Sequence, residues 1–385
     1  MANVLTDLAA DIYKAADLVA RESVGFIPGV MINSGSEEAA QGDTVRSHST
    51  RAATVNTSVT PAMTIPEGDD QTVDTKTMVL NSIANVQIPW TGEDIKHVNN
   101  GSGFETVYGD QIKQAMRGIT NSIEAAIAAE AYKNASRAYG AAGTTPFASN
   151  FNDVAEVRQI LFDNGVSVDD GQLSLVMNSA AGTNLRQLAT LTGVNTSGSD
   201  DTLRRGELLN LQGFSLRESA QIQSHTKGTA TGFDANGGEP VGEKTIVVDG
   251  SDSGTILAGD VVTWAGDTDK YIINSTTASG AAGGNIVIGA PGLTSALADT
   301  VEGTIGNSFT ANVGFHRSAL ELAVRPLAQP FGGDSAVDMM NVQDPVSGLV
   351  YQICVYKGFK KAMIDITVLY QAKAWNSHAI AVLLG

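Results

Sequence analysis

The chain has one cysteine in 385 residues, Cys354, and it lies in a strand-like run, LVYQICVY. That excludes an internal disulfide framework and a cysteine-built zinc site. In such a run the thiol reads as a small buried hydrophobe rather than a nucleophile. Positive charge is also scarce. Lys and Arg number 24 against 41 Asp and Glu, for a net charge of −17. A free-standing nucleic-acid binder is normally basic, so any contact with nucleic acid is expected to be weak. No segment approaches the roughly 18 consecutive apolar residues that mark a transmembrane helix. The N-terminus, MANVLTDLAADIYKAADLVAR, mixes acidic and basic residues through an amphipathic pattern. A secretory signal has instead a basic region followed by an apolar block. The chain is therefore expected to be made, and at first to stay, in a cytoplasm.

Catalytic signatures are missing as well. The histidines are His48, His97, His225, His316 and His378, and none falls in an HExxH pattern or at a metal-helix spacing. Each reads as a surface or structural histidine. No GxSxG marks a nucleophile elbow. The segment 237–245, GGEPVGEKT, has two glycines of a phosphate loop, but Glu243 stands where a lysine must reach the phosphate. Strand-like residues follow it, whereas that motif needs a helix N-terminus for its anion site. Asp249, Ser251, Ser253, Gly254 and Asp260 echo a calcium loop. Strands rather than helices flank them, and Asp260 is shorter than the glutamate that closes such a loop, so an acidic turn is the better reading. No catalytic, cofactor-binding or metal-ligating residue is assigned, no cofactor is expected, and the chain is not read as an enzyme.

What the chain does have is 42% hydrophobic residues and 41 glycines, with only 17% charged. That is a folded, β-rich and loop-rich composition, long enough for two or three domains. Its longest periodic stretch is 104–139. Ile112, Met116, Ile119, Ile123 and Ile127 line one helical face, alanine fills most of the second half, and Gly140 follows. Glu105 and Asp110 lie early and Lys133 and Arg137 late, the favourable order for the macrodipole. Gly109 and Gly118 suggest a kink or a close packing contact. Lys113, Arg117, Lys133 and Arg137 are expected to pair within the helix, with Glu105 or Glu130, rather than to face nucleic acid. The apolar face is expected to lie on the C-terminal sheet, and the opposite side to face inward.

Around that helix the chain reads in order. Leu5, Leu8, Ile12 and Val19 form one helical stripe in an N-terminal arm, 1–42, which ends in the linker-like 33–42. Residues 43–91 hold two polar β-prone runs, 43–59 and 72–90, joined through PAMTIPEGDDQ. Such a ribbon is marginal alone in water, which makes sense if it lies on another subunit. Residues 92–150 contain the long helix. Residues 151–225 read as a small α+β unit: a helix with Val154, Val157, Ile160 and Leu161; the apolar strand LSLVM; a helix over 179–191 capped by Asn178 or Ser179; a helix over 203–211; and a strand over 213–218. Residues 226–310 lose helical period, and five or six short strands at about ten-residue spacing indicate a small barrel or sandwich inserted in the α+β unit. Residues 311–346 return to that unit. Residues 347–385 give the hairpin 348–356 and 361–370 and a last strand, HAIAVLL.

This order resembles the tailed-phage major capsid (coat) proteins of the Hong Kong 97 fold: N-terminal arm, extended two-stranded loop, long spine helix, α+β unit, closing β hairpin. ILFDNGVSVDDGQLSLVMNSAAGTNLRQL is similar to the fold's axial domain. The all-β segment with LAGDVVTWAG is similar to the inserted barrel of the short-tailed Salmonella-phage branch, as is the closing GLVYQICVYKGFKKAMIDITVLYQAKAW to its final strands. The resemblance implies an α+β fold of axial and peripheral domains with the barrel inserted. It implies a homo-oligomer of pentamers and hexamers in an icosahedral head around double-stranded DNA, which it contacts weakly and non-specifically. The partners implied are a scaffolding protein during assembly, a portal protein at one vertex and a decoration protein, with no membrane. No long scaffolding-like segment precedes the arm, and the chain starts at Met1, so N-terminal removal is not expected. Some members of the fold crosslink a loop lysine to an asparagine on a neighbour. Lys76 lies in the loop and Asn376 is its partner only by position, so non-covalent stabilisation is expected. The alternatives are a non-viral compartment shell of the same fold, a secreted structural β-rich surface protein, and a hydrolytic or glycan-acting enzyme. The last needs a convergent acidic or histidine set that the sequence does not offer.

Overall fold

The computed structural model describes residues 24–35, 37–50, 55, 57–61, 63–65, 73–99, 104–192, 210–250, 253–280, 282–344 and 347–385. The N-terminal stripe from Leu5 to Val19, most of the turn between the two ribbon strands and most of the expected helix at 203–211 lie outside the described residues.

The long helix is present as Phe104–Lys133. Ile112, Met116, Ile119, Ile123 and Ile127 are all buried, in one cluster with Ile353, Ile364, Ile366 and Val368 of the C-terminal strands. Burial of each such side chain is worth about 1.5–3 kcal/mol, so this one stripe holds the helix on its sheet. The helix stops six residues earlier than the alanine-rich pattern predicts. Asn134 Nδ2 donates to the Glu130 carbonyl at 2.8 Å, which satisfies a terminal acceptor. The amide and hydroxyl of Ser136 both donate to Ile380 O. Arg137–Gly140 then forms a strand parallel to Ile380–Leu384. Pairing with a strand more than 240 residues away overrides local helix propensity here. Gly109 and Gly118 mark no close contact either: a Cβ at each would meet open space, and the helix runs on through both.

A six-stranded sheet lies against the spine. Its shared member is the long strand Lys361–Ala374, which pairs antiparallel with Val350–Gly358, Leu320–Arg325 and Ser82–Thr91. Met31–Ser34 adds in parallel to Leu320–Arg325, and Ala336–Gln343 closes the far edge against Val350–Gly358. The expected hairpin at 348–370 is therefore real, with its first strand shifted by two residues and its second four residues longer. The run 72–90 is two strands rather than one. Val73–Val79 pairs with Thr44–Thr50 as a separate ribbon. The chain then leaves the ribbon at Leu80, buried with Met78, Ala323 and Leu369, and Ser82–Thr91 joins the sheet.

The second sheet runs from Arg137–Gly140 through Ile380–Leu384, Phe309–His316, Leu173–Met177 and Phe214–Glu218 to Asn210–Leu211. Residues 210–211 are thus strand, not the end of a helix, because they pair with Phe214 and Ser215 across a tight turn. Helices Asn152–Asp163 and Ser179–Gln187 cover this sheet through Val154, Val157, Leu161, Ala181 and Leu185. The second is capped as expected, with Asn178 Oδ1 accepting from the Ala181 amide at 2.9 Å.

Six strands between Phe233 and Ile305 close into a barrel: Val261–Trp264, Glu302–Ile305, Phe233–Ala235, Thr245–Gly250, Gly284–Ile288 and Lys270–Thr276, whose last member pairs back with the first. Full closure leaves no sheet edge within the ring. It encloses its own core around Trp264, Tyr271, Phe233, Ile246 and Ile286. Lys270 and Tyr271 also pair with Ala138 and Arg137, so the barrel shares a strand edge with the second sheet.

Candidate functional site

The titratable side chains at the centre of the molecule join elements to one another. Glu124 of the spine is completely buried. Its Oε1 accepts from the amides of Gly25 (2.6 Å) and Phe26 (2.8 Å) and from Ser219 Oγ (2.9 Å), and its Oε2 from the Ile27 amide (3.0 Å). One carboxylate thus ties the root of the N-terminal arm and the end of strand Phe214–Glu218 to the helix. Asp260 is another fully buried carboxylate. Its Oδ1 meets His225 Nε2 at 2.8 Å and the Gly228 amide at 2.9 Å, and its Oδ2 accepts from the Leu257 amide at 2.7 Å. The other ring nitrogen of His225 faces the Tyr132 hydroxyl at 3.4 Å. Burial, then the Asp260 charge, push the Tyr132 phenol above its ordinary pKa. Both Asp260 oxygens are occupied by the fold, so Asp260 is a buried joint between spine and barrel rather than part of an exposed acidic turn.

His225 is accordingly structural, and His316 bonds Asp170 at 2.8 Å, holding that carboxyl below its ordinary pKa. His97 is exposed, and the side chain of His48 lies outside the described residues. His378 is half-buried, and burial, followed by Lys76 and Lys244, lowers its pKa. A histidine whose folded pKa is lowered contributes stability above its unfolded value of about 6.5 and loses it as pH falls below that. We therefore expect the urea midpoint of the unassembled chain to fall from pH 7 to pH 5.5, and His378→Gln to flatten that slope. An unchanged slope would refute the assignment.

Arg186 makes a two-toothed contact with Glu218, 2.6 Å on each oxygen, which raises the guanidinium pKa and pins helix Ser179–Gln187 to the strand beside it. Arg137 is not a helix-face cation: it is buried and bonded to Asp269 and Asn164. Lys113 does pair within the spine, with Asp110 at 3.2 Å, whereas Glu130 accepts from the Ala374 amide. A cleft of about 540 Å3 between helix Asn152–Asp163 and the barrel is lined by Asp153, Asp163 and Asp269 beside Arg137 and Lys270, and both cations are already bonded inside the chain. Among the described residues no group of three His, Cys, Asp or Glu side chains could hold a metal ion. No helix among them is long and apolar enough to cross a membrane.

The surface carries the unusual features. Between the ribbon strands Val55, Val59, Met63 and Ile65 are each at least 80% exposed. Four large apolar side chains this exposed along one stretch make it a candidate interaction surface. Lys76 meets Asn376 within one chain: its Nζ donates to Asn376 Oδ1 at 3.2 Å and lies 5.7 Å from the centre of the Trp375 ring. The nearby Glu321 is occupied by Trp375 Nε1 and Asn33 Nδ2. The pair therefore fixes the base of the chain's own ribbon. Among the described residues strand Ala336–Gln343 pairs with another strand on one side only, and it exposes Val337 and Met339. At the tip of the sheet Phe359 is 91% exposed amid Lys357, Lys360 and Lys361.

No protein-family model and no curated protein matches the sequence. Solved structures do match in fold along nearly the whole chain. One described as the capsid structure of the cyanophage P-SCSP1u is 11% identical, with a TM-score of 0.51, covering 94% of this chain and 88% of its own. One described as Mycobacterium phage Che8 is 15% identical with a TM-score of 0.46, covering 89% and 84%. A virus-like particle from Pyrococcus furiosus is 8% identical with a TM-score of 0.43, covering 97% and 96%. The chain thus has a mixed α+β fold shared with a cyanophage capsid.

Proposed function

We propose that this chain is the major capsid protein of a tailed bacteriophage, assembling as pentamers and hexamers into an icosahedral head around double-stranded DNA. The observation that carries this reading is the likeness to the cyanophage capsid fold over most of both chains. The exposed apolar loop supports it, since such a segment gains stability only by covering another copy. In this reading the architecture is the Hong Kong 97 fold. The spine helix with the six-stranded sheet forms the peripheral domain, and the second sheet forms the axial domain. The closed barrel is an inserted domain, as in the short-tailed Salmonella-phage branch. The role is structural rather than enzymatic, and the destination is the virion, with assembly in the host cytoplasm. A scaffolding protein, a portal and a decoration protein are the further partners. The acidic balance suits a wall that encloses a genome without gripping it.

Electron microscopy of the expressed protein, alone and with its neighbouring genes, tests the reading. Closed icosahedral shells are expected, and a persistent monomer under all conditions would refute it. A narrower expectation concerns residues 60–72. Deleting them should leave the unassembled chain folded, with an unchanged far-UV spectrum and urea midpoint, while the yield of shells falls by about tenfold or more. Global unfolding of the deletion would show that the segment belongs to the core.

A further inference from the structure

Strand Phe309–His316 pairs antiparallel with Leu173–Met177, and the register sets His316 opposite Leu173. The turn Asp169-Asp170-Gly171 lies just before Leu173, with Gly171 at φ +72°. Pairing of the two strands therefore carries Asp170 to the His316 ring. Its Oδ2 meets Nε2 at 2.8 Å, and its Oδ1 accepts from the Gln172 amide at 3.0 Å, which fixes the carboxylate's orientation. On the other side of the ring the chain turns through Arg317–Ala319, a single 3-10 turn. That turn brings Ser318 back onto Nδ1, with its hydroxyl at 2.7 Å and its amide at 3.2 Å.

The proton on the ring follows from these contacts. A backbone amide can only donate, so Nδ1 carries a lone pair and Nε2 the hydrogen, which Asp170 accepts. The Ser318 hydroxyl therefore donates to a basic nitrogen. A nucleophile, a base and a group that orients the base stand in line. The two ring nitrogens are exchanged relative to the usual serine-hydrolase arrangement, but the roles need only one accepting and one donating nitrogen. A helix cap alone explains less. Ser, Thr, Asp or Asn are the preferred caps, and capping requires neither a hydroxyl on the ring nor a carboxylate behind it. The ring is mostly enclosed, its side chain 11% exposed, while Ser318 faces solvent. We infer that Ser318 is a nucleophilic serine, activated by His316 and positioned through Asp170, that accepts an acyl group from a small activated ester.

The substrate class follows from what the site spends. The nucleophile's own amide is a usual oxyanion donor, and here it is bonded to Nδ1. The ester's leaving group must therefore supply the reactivity, which favours a phenyl-type ester over a peptide bond. In the acyl step the Ser318 Oγ bonds to the carbonyl carbon and its proton passes to His316 Nδ1. Asp170 stabilises the imidazolium. The ester C–O bond breaks, and the phenolate leaves with that proton. A water deprotonated by the same nitrogen then releases the carboxylic acid and restores the serine, so water is the co-reactant. This activity does not rest on the shell-forming reading, and it stands or falls separately.

Labelling of the unassembled full chain with a fluorophosphonate, read by peptide mass spectrometry, tests the nucleophile. Ser318 is expected to be labelled about 100-fold or more faster than Ser335, an exposed serine whose hydroxyl faces Asp334 and no imidazole. His316→Gln is expected to slow labelling of Ser318 about tenfold or more, with the urea midpoint unchanged. Asp170→Asn should do the same, because an amide there turns an N–H toward Nε2 and favours the tautomer that protonates Nδ1. Asp170→Glu keeps the carboxylate and should recover the rate to within about threefold. With p-nitrophenyl acetate, an acetyl group is expected on Ser318 and release of p-nitrophenol should fall in Ser318→Ala. Equal labelling of Ser318 and Ser335 would overturn the inference and leave His316 as a helix cap. Labelling that survives His316→Gln would overturn it too. If His316→Gln does not fold, Asp170→Asn and the comparison of the two serines in the unmodified chain decide.

Discussion

Glu124→Ala is expected to lower the stability of the unassembled chain by about 4 kcal/mol. Four donors meet on this carboxylate, three of them backbone amides at consecutive residues 25–27. A carboxylate is suited to this position because it offers only acceptors. Removal leaves donors buried without partners, each costing about 1–3 kcal/mol where water cannot enter, and relaxation keeps the total below their sum. Glu124→Gln keeps the volume but turns an amide NH2 toward other N–H groups, so it should recover less than half of the loss. Phe26 and Ile27 are buried in the main core, with the Phe26 ring stacked 5.8 Å from Phe315. The loss should therefore reach the place where the arm enters the fold. Urea unfolding gives the magnitude, and limited proteolysis should show faster cleavage near residues 24–30. A loss below about 1 kcal/mol would mean that the amides find other acceptors.

The second large effect is expected at Asp260. Asp260→Ala should cost about 3 kcal/mol, since it strands the Gly228 and Leu257 amides and the imidazole of His225. The damage should concentrate at the junction of barrel and spine. Gly259 packs there within 2.8 Å of Tyr132 as measured from an added Cβ, so no side chain can replace the lost support from that position. A double-mutant cycle of Asp260→Ala with His225→Ala should give a coupling of about 1–3 kcal/mol. Asp249→Ala is the control. Its carboxylate is exposed and accepts from Asn236 Nδ2, so the change should stay within about 0.5 kcal/mol. Equal effects at the two aspartates would refute the distinction between a buried joint and a surface turn.

That distinction was not legible in the sequence. Asp249 and Asp260 each sit beside one glycine at the edge of an apolar run, and only the pairing of the 261–264 strand places Asp260 against His225. The same holds for Glu124, one charged residue on the alanine-rich half of a helix. Its partners lie about a hundred positions away on either side, and no local pattern announces them. The spine's apolar stripe, by contrast, was fully legible, because four- and three-residue spacing forces those side chains onto one face in any context. The C-terminal strands were legible for the same reason, through continuous apolar runs. The helix end at 133 and the strand at 137–140 were misread because Ala135 to Tyr139 has acceptable helix propensity. The strand forms only once residues 380–384 offer a parallel edge.

The sequence by itself determined the inventory: a long one-faced helix, short strands between glycine turns at 226–310, and a polar ribbon. These follow from period, composition and propensity, which act over a few residues. Tertiary structure alone decided which strands share a sheet, that six of them close into a ring, that the ribbon ends at Leu80, and which carboxylates are buried. Those outcomes depend on contacts between residues far apart in the chain, where the gain from burial and pairing outweighs local preference.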